Sequence, residues 1–213
     1  MLKHLLVCII ILISAYNIYS QHNIGISAGI SVSNARYENP DLENLVKKYK
    51  HPKAGIYIGF SLPFALNKIM RIEPEINYIT VGFRFNQPEY KSKNRYGYLN
   101  LSVKGSMQYK IGYDALLSFK IGAYTGYWIW GNYYYQDLRS GRVRTTGINF
   151  KSGDWAYNRL DAGLWPAIGY TFILKKVHIE LETGFRYSLL SNDKNKIDGQ
   201  LNRSLITCSR ILF

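Results

Sequence analysis

Two pairs of glutamates stand two residues apart in this sequence of 213 residues, Glu73 with Glu75 and Glu180 with Glu182. On a β-strand, residues i and i+2 point to the same face, so each pair brings two carboxylates close together. Paired carboxylates can perform acid–base catalysis or bind a metal ion. Lysines and arginines in the neighbouring segments favour structural ion pairs instead, because a buried carboxylate needs a positive partner.

The histidines indicate no catalytic cluster. Beyond the N-terminal segment they are His22, His51 and His178. The first and last are expected near one end of the molecule and His51 at the other, whereas a nucleophile, its base and its orienting group must be in mutual reach. The sequence also has no glycine-rich phosphate loop and no Cys/His metal spacing. We therefore predict a protein that is not an enzyme and that has no catalytic, cofactor-binding or metal-binding residues.

The N-terminal segment predicts export. Residues 1–20 contain a short basic start, an apolar run over residues 5–13 and a polar end, which is typical of a cleaved secretory signal peptide. The apolar run is shorter than the roughly 20 residues that a membrane-spanning helix needs. Residues 21–213 then form one predicted domain with Cys208 as its single cysteine, so no internal disulfide is possible.

Composition narrows the class of partner. Hydrophobic residues make up 47% of the chain and charged residues 19%, which suits one folded domain. The formal net charge of +13 would suit nucleic acid, but the basic residues are scattered and an exported protein rarely works on nucleic acid. Anionic lipid head groups, lipopolysaccharide or polyanionic surface sugars are the expected partners, and a solvated surface excess of charge is the alternative.

Eight segments alternate between apolar and polar residues, and short and long connections alternate between them. The segments are residues 23–33, 54–62, 71–85, 96–110, 116–130, 158–172, 177–188 and 201–213. This pattern predicts an all-β fold: an eight-stranded antiparallel up-and-down transmembrane β-barrel with short periplasmic turns and long extracellular loops. The last segment alternates least clearly, which leaves its facing open. Pro74 lacks a donor N–H and predicts a local bulge or a missing ladder bond.

A soluble lipocalin-like barrel would turn the same apolar face inward. Small residues on the polar face, aromatic residues near the strand ends and a final strand that ends on Phe213 favour the membrane barrel instead. The aromatic residues predicted to form the girdle on the long-loop side are Phe83, Phe85, Tyr127, Trp128, Trp130, Trp155, Tyr157 and Tyr187.

An eight-stranded barrel has an interior just wide enough for side chains, so inward charges must be paired. The predicted lumenal charge network consists of Arg71, Glu73, Glu75, Lys104, Lys120, Arg159, Asp161, Glu180, Glu182 and Arg186. Such a network closes the lumen and argues against a diffusion pore. A narrow or gated porin for small solutes is the alternative, and a barrel enzyme that modifies lipid A is a third.

The long connection over residues 132–157 interleaves aromatic and basic residues. They are Tyr133, Tyr134, Tyr135, Arg139, Arg142, Arg144 and Trp155. This composition predicts a recognition surface for anionic glycans, lipopolysaccharide or a protein. An interfacial aromatic belt with solvated loop charges is the alternative.

The order of the motifs resembles the PorT-like outer-membrane beta-barrel family. "RIEPEINY" is followed by "YLNLSVKGSMQYKIG", "SFKIGAYTGYWIWG", "RLDAGLWPAIGYTF" and "IELETGFRYSLLSND". The resemblance implies an integral outer-membrane barrel of a Gram-negative cell and, as in the name-giving members, a link to type IX protein secretion. It implies no catalytic residue. The final strand with Phe213 separately indicates the outer-membrane assembly machinery as a partner. We expect the chain to act through its extracellular loops in envelope structure, surface interaction or a secretion-associated scaffold, with secretion-system or surface proteins as partners.

Overall fold

The segments in which apolar and polar residues alternate form antiparallel strands. The computed structural model describes residues 24–148, 158–175, 177–191 and 199–213. The elements within those ranges are β1 (Gly25–Tyr37), α1 (Pro40–Val46), β2 (Lys50–Ser61), β3 (Phe64–Ala65), β4 (Met70–Asn86), β5 (Tyr90–Lys110), β6 (Ala115–Asp137), β7 (Val143–Gly147), β8 (Leu160–Ile173), β9 (His178–Ser188) and β10 (Gln200–Leu212). The predicted signal peptide, residues 1–20, lies outside the described ranges.

Eight of these strands close a ring in the order β1-β2-β4-β5-β6-β8-β9-β10, and β10 pairs back onto β1 from Leu212 opposite Gly25 to Gln200 opposite Tyr37. Closure leaves no open sheet edge among them. The predicted eight-stranded antiparallel barrel is therefore confirmed. The short strands β3 and β7 lie beside β4 and β6 at opposite ends of the ring. No helix in the described ranges is long and apolar enough to span a membrane.

The apolar face of the barrel wall points outward. Ile58, Leu101 and Ile121 are each more than half exposed, whereas Glu180 and Arg186 are buried in the lumen. This arrangement is the reverse of a lipocalin-like barrel. The facing of β10, which the sequence leaves open, is decided by the same criterion, because Ile211 and Phe213 are exposed and Arg210 is fully buried.

The two ends of the barrel differ in length. At one end the connections are short, for example residues 111–114 between β5 and β6. At the other end β5 and β6 continue to a pair between Tyr90 and Asp137, and β7 adds to β6. We call this extension the projecting sheet, and it comprises residues 50–52, 83–86, 90–95, 131–137 and 143–147. Long connections of outer-membrane barrels face outward, so the projecting sheet is extracellular.

The projecting sheet lengthens the strands beyond the predicted boundaries. β5 has 21 residues and β6 has 23, although strands of about 10 residues suffice for a tilted membrane crossing. The sequence pattern predicts long connections over residues 86–95 and 132–157. Residues 86, 90–95, 132–137 and 143–147 form strands instead, because β4, β5, β6 and β7 satisfy one another's backbone groups outside the membrane.

Pro74 causes no bulge toward β5. It lies opposite Val103 in a continuous register between β4 and β5. On its other side, its carbonyl oxygen accepts a hydrogen bond of 3.0 Å from the N–H of Leu62, where β2 has ended and β3 has not begun. The N–H that proline lacks would point to this same side, so the residue falls at an existing break in the ladder.

The irregularity of the barrel wall lies instead in β2, where the pairing with β4 shifts between Pro52 and Tyr57. Two inward serines of β1 bridge this gap. Ser31 Oγ donates to the carbonyl oxygen of Thr80 at 2.6 Å, and Ser33 Oγ accepts from the N–H of Gly82 at 2.7 Å. These contacts replace ladder bonds that the shift removes.

Candidate functional site

Seven charged side chains meet in the middle of the lumen. We call them the central charge cluster: Glu73, Glu75, Lys104, Lys120, Glu180, Glu182 and Arg210. None is more than 4% exposed. They come from the inward faces of β4, β5, β6, β9 and β10, and the two-residue spacing of the glutamates on β4 and β9 stacks four carboxylates in one layer.

Arg210 lies at the centre of this cluster and contacts all four carboxylates. Its Nη1 lies 3.0 Å from Glu73 and 2.9 Å from Glu180. Its Nη2 lies 2.9 Å from Glu75 and 3.2 Å from Glu182. The planar guanidinium group thus joins β10 to β4 on one side and to β9 on the other, so a single residue ties three strands across the lumen.

Two lysines complete the cluster. Lys120 Nζ lies 2.8 Å from Glu73, 2.7 Å from Glu180 and 2.9 Å from Glu182. Lys104 Nζ lies 2.7 Å from Glu182 and 3.2 Å from Glu75. Four carboxylates therefore face three cations, and every ion contacts at least two of opposite sign. This arrangement offsets the cost of removing the charges from water.

Neutral donors satisfy the remaining carboxylate lone pairs. The Tyr57 hydroxyl donates to Glu75, Asn77 donates to Glu75 at 2.9 Å, Ser106 to Glu73 at 3.1 Å and Ser118 to Glu180 at 3.1 Å. Small residues leave room for these groups. A Cβ atom on Gly169 would lie 2.4 Å from the Glu180 carboxylate, so a larger residue would displace this carboxylate from Lys120 and Arg210.

A separate ion pair lies nearer the extracellular end. Arg186 Nη2 lies 2.8 Å from the Asp161 carboxylate and donates to Asn100 at 3.0 Å. The guanidinium group also lies over the ring of Tyr124, with 3.9 Å between Cζ and the ring centroid. Asn100 donates to Asn77 at 2.8 Å, and through Asn77 the pair is linked to the central charge cluster.

Aromatic side chains fill the extracellular half of the lumen. We call the buried set Tyr57, Phe83, Tyr96, Tyr98, Trp128 and Trp165 the aromatic layer. Trp128 stacks on Tyr98 with 6.0 Å between ring centroids and meets Tyr96 edge-on at 4.7 Å. Trp165 lies between the two halves of the lumen, because it contacts Tyr57 at 5.9 Å and its ring faces the Lys104 ammonium at 4.4 Å.

Two residues predicted for the aromatic girdle are inside the barrel. Phe83 and Trp128 are 1% and 0% exposed and belong to the aromatic layer. The register of β5 and β6 shifts between Trp128 and Trp130, so Trp130 instead reaches Tyr78 on the outer face, where its indole N–H donates to the hydroxyl at 3.1 Å. Tyr127 is exposed on the outer face, as expected. Trp155 and Tyr157 lie outside the described residues.

The structure places the ten residues of the predicted network in three settings. Eight make ion pairs in the lumen, namely Glu73, Glu75, Lys104, Lys120, Asp161, Glu180, Glu182 and Arg186. Arg71 lies half-buried at the periplasmic end of β4 and has no ion pair with a described carboxylate. Arg159 precedes β8, donates to the Trp128 carbonyl oxygen at 3.0 Å and lies over the Tyr127 ring at 4.4 Å.

Arg210 is a lumenal cation that the alternation pattern does not predict. The outward positions of Ile211 and Phe213 imply that Arg210 points inward, but Arg203 and Ser209 share the outer face and obscure the alternation. Arg203 is tolerated there because its guanidinium group lies over the Tyr187 ring, 4.8 Å from the centroid. An arginine on β10 can therefore lie on either face, so its presence alone does not show which face of the strand is lumenal.

Three carboxylates of the central charge cluster lie close enough together to bind a metal ion. One oxygen from each of Glu73, Glu180 and Glu182 lies within 4.8 Å of the others. Lys120 contacts all three and Arg210 contacts them from the other side, so protein cations already occupy the position of a metal ion. His51 is the second residue of β2 and His178 begins β9 at the opposite end of the barrel, whereas His22 lies outside the described residues.

The predicted loop residues lie mainly in strands. Tyr133, Tyr134 and Tyr135 belong to β6 and alternate between the two faces of the projecting sheet. Tyr135 contacts the Tyr90 ring at 5.4 Å, and Tyr134 lies under the Lys93 ammonium at 5.2 Å. Arg144 lies on β7 opposite Tyr135, and Arg139 and Arg142 lie at the exposed β6–β7 turn. Trp155 lies outside the described residues. A single recognition face would thus include only part of this set.

The sequence matches a family model for the outer membrane protein beta-barrel domain over residues 17–194. The chain belongs to this family. It is accordingly an integral protein of the outer membrane, as the closed ring and its apolar outer face require. No curated protein matches the sequence.

Solved structures of outer-membrane barrels resemble this member of the family in fold. Ail, the attachment invasion locus protein of Yersinia pestis, is 12% identical, with 90% of this chain and 99% of that chain covered and a TM-score of 0.42. Neisserial surface protein A is 12% identical over 89% and 97%, with a TM-score of 0.45. The outer membrane protease OmpT from Escherichia coli is 9% identical over 92% and 99%, with a TM-score of 0.31.

Proposed function

We propose that this chain is a closed, non-enzymatic outer-membrane barrel that works through its extracellular surface. The observation that supports the proposal is the lumen, where the central charge cluster and the aromatic layer follow one another along the barrel axis. An ion that crosses the barrel would have to separate Arg210 from four carboxylates and then pass the packed rings of Tyr98 and Trp128.

The extracellular end offers the area for such a role. The projecting sheet holds β7, whose residues are all exposed, and the exposed tip of the β6–β7 hairpin with Arg139 and Arg142. Tyrosine and arginine are enriched at protein recognition sites, since they combine a large apolar surface with polar groups. Surface interaction or envelope structure is therefore the role that this geometry supports best.

A second candidate role is a scaffold associated with type IX secretion. Its support is the order of the segments that resemble PorT-like proteins, from "RIEPEINY" to "IELETGFRYSLLSND". In that role the barrel would hold partner proteins at the membrane without conducting solute. The partners in this case would be components of the secretion system.

Single-channel recording in planar bilayers tests the closed barrel. We expect no stable openings from the purified protein at voltages where a general porin conducts. A porin prepared in the same detergent serves as the positive control. Stable openings on the nanosiemens scale would overturn the closed barrel and favour the narrow porin.

A deletion strain tests the extracellular role. It is complemented with the natural chain or with a variant in which residues 138–142 are replaced by glycine and serine, and scored for envelope leakage, surface adhesion and secretion of surface cargo. A variant that inserts normally but fails to restore adhesion supports surface interaction. Loss of cargo secretion supports the scaffold. Full complementation of every measure by the variant would contradict a role for the hairpin tip.

A further inference from the structure

Four cations lie on the outer face of the barrel at its extracellular rim, namely Arg84, Lys91, Lys93 and Arg95. We call these four, together with Lys53 of β2, the basic patch. Three of them are every second residue of β5: Lys91, Lys93 and Arg95. They point to the same outer face as the lipid-facing residues Leu99 and Leu101. Arg84 on β4 lies directly opposite Lys93. Like charges directly opposite each other on a sheet are destabilising unless something compensates them.

Lys53 joins this group from β2. Its ammonium donates to the carbonyl oxygen of Asn94 at 3.1 Å, which brings it across β4 toward β5. There it is close enough to Arg95, Arg84 and Lys93 for their positive charges to repel its own. Four cations from three strands therefore converge on one small area.

No described carboxylate forms an ion pair with any member of the basic patch. Two other cations near the same end of the barrel are paired, Lys50 with Glu43 and Arg139 with Glu89. A surface that collects like charges at such a cost is expected to hold an anion from outside the chain.

The position of the patch indicates where that anion lies relative to the membrane. Trp130 and Tyr78 form a hydrogen-bonded aromatic pair. Tyr78 lies opposite the exposed residue Leu99, and the exposed residue Leu101 follows on the periplasmic side. Trp and Tyr in this setting mark the boundary between hydrocarbon and head groups. Arg95 stands two residues beyond the position opposite Trp130, which is about 7 Å along the strand. The patch therefore lies at the level of the head groups.

Two cations of the basic patch make cation–π contacts with aromatic rings of β6. Arg95 Cζ lies 5.7 Å from the Trp130 ring centroid, and Lys93 Nζ lies 5.2 Å from that of Tyr134. Cation–π contacts hold these side chains against the barrel wall and leave their polar hydrogens directed at other acceptors. Arginine can then donate two parallel hydrogen bonds to a phosphate, and lysine can add a compact charge.

We propose that the basic patch binds the phosphate groups of lipopolysaccharide in the outer leaflet, with Arg84, Lys93 and Arg95 as the principal ligands and Lys53 as a fourth. The acyl chains of the same lipid would lie along the apolar outer face below Trp130 and Tyr78. This site needs only a barrel that stands in the outer membrane, so it is independent of any partner of the hairpin tip.

Binding of lipid A to the full chain in detergent, followed by native mass spectrometry, tests the proposal. The natural protein should bind lipid A that has its phosphates more tightly than enzymatically dephosphorylated lipid A, by roughly tenfold or more. This comparison needs no variant, so it holds even if a substitution impairs folding. Equal binding of the two lipids would overturn the proposal.

The matched variants locate the site. Arg84→Ser, Lys93→Ser and Arg95→Ser together should weaken binding of phosphorylated lipid A by about tenfold or more, while leaving binding of the dephosphorylated lipid unchanged. The control has Lys68→Ser, Lys110→Ser and Lys175→Ser, which remove the same charge near the periplasmic end and should bind as the natural protein does. Equal loss in both triple variants, or displacement of the lipid by millimolar inorganic phosphate, would show a general charge effect and contradict a lipid site.

Discussion

At the scale of the residue, the lumen depends on single side chains that serve several partners. Arg210 contacts four carboxylates from β4 and β9, whereas Arg186 contacts one carboxylate and two aromatic rings. The consequence of removing a cation therefore depends on how many charges it leaves unpaired.

Arg210→Met should be the most damaging of the conservative substitutions in the lumen. It leaves four buried carboxylates with only Lys104 and Lys120, and we expect a loss of about 3–5 kcal/mol in the free energy of unfolding. Urea unfolding in detergent micelles measures this loss. Arg203→Met, on the outer face of the same strand, is the control and should unfold almost as the natural protein does. Equal stability of the Arg210 variant and the natural protein would contradict the central role of Arg210.

The Asp161–Arg186 pair allows a double-mutant cycle. Asp161→Leu and Arg186→Leu should each destabilise the barrel, since each leaves one buried charge without its partner. The double variant should lose less free energy than the sum of the two single variants, with a coupling of about 1–3 kcal/mol. Additive losses in urea unfolding would show that the two side chains act independently.

At the scale of the element, strand geometry determines which charged side chains point into the lumen, and the interrupted pairing of β2 with β4 is compensated by β1. β4 and β9 stack their glutamates because alternate residues share a face. β2 cannot pair continuously with β4, so two serines of β1 bond to β4 in its place. Side chains of β1 thus supply hydrogen bonds to β4 at the place where β2 does not pair with it.

Ser33→Ala should cost about 1–3 kcal/mol of unfolding free energy, because the buried N–H of Gly82 loses its acceptor. Ser27 is the matched control, since it also points inward from β1 and is buried, but its hydroxyl has no hydrogen-bond partner among the described residues. Ser27→Ala should change the stability little. The bridge between β1 and β4 would be refuted by equal effects of the two substitutions.

At the scale of the whole molecule, the closed ring exposes an apolar outer face, so the folded barrel needs lipid or detergent to cover that face. Every ring strand pairs on both sides, so no strand can leave without breaking two ladders. The lipid-facing residues gain nothing from burial inside the protein, and in water they would associate with one another.

Heat-modifiable migration on a detergent gel measures this property. The unheated chain should migrate as a compact band that shifts on boiling, and circular dichroism in micelles should be rich in β-structure. Arg210→Met should shift at a lower temperature than the natural protein, since its lumen holds unpaired carboxylates. A monomer that stays soluble without detergent would contradict the outward assignment of the apolar face.

The sequence alone determined the barrel class, the number of strands in the ring, and most members of the charge network. Period-two alternation is a local property that each strand expresses without reference to its neighbours, which is why Glu73, Glu75, Glu180 and Glu182 could be assigned to the lumen in advance.

Only the tertiary structure decided which of these charges meet and what joins them. The inward position of Arg210 depends on the facing of β10, and the outward position of Trp130 depends on a register shift. Both follow from pairing with neighbouring strands rather than from the local pattern. The basic patch likewise arises because β2, β4 and β5 lie side by side, although Lys53 and Arg95 stand far apart in the chain. Proximity across a sheet is set by register, and register is a property of the closed ring.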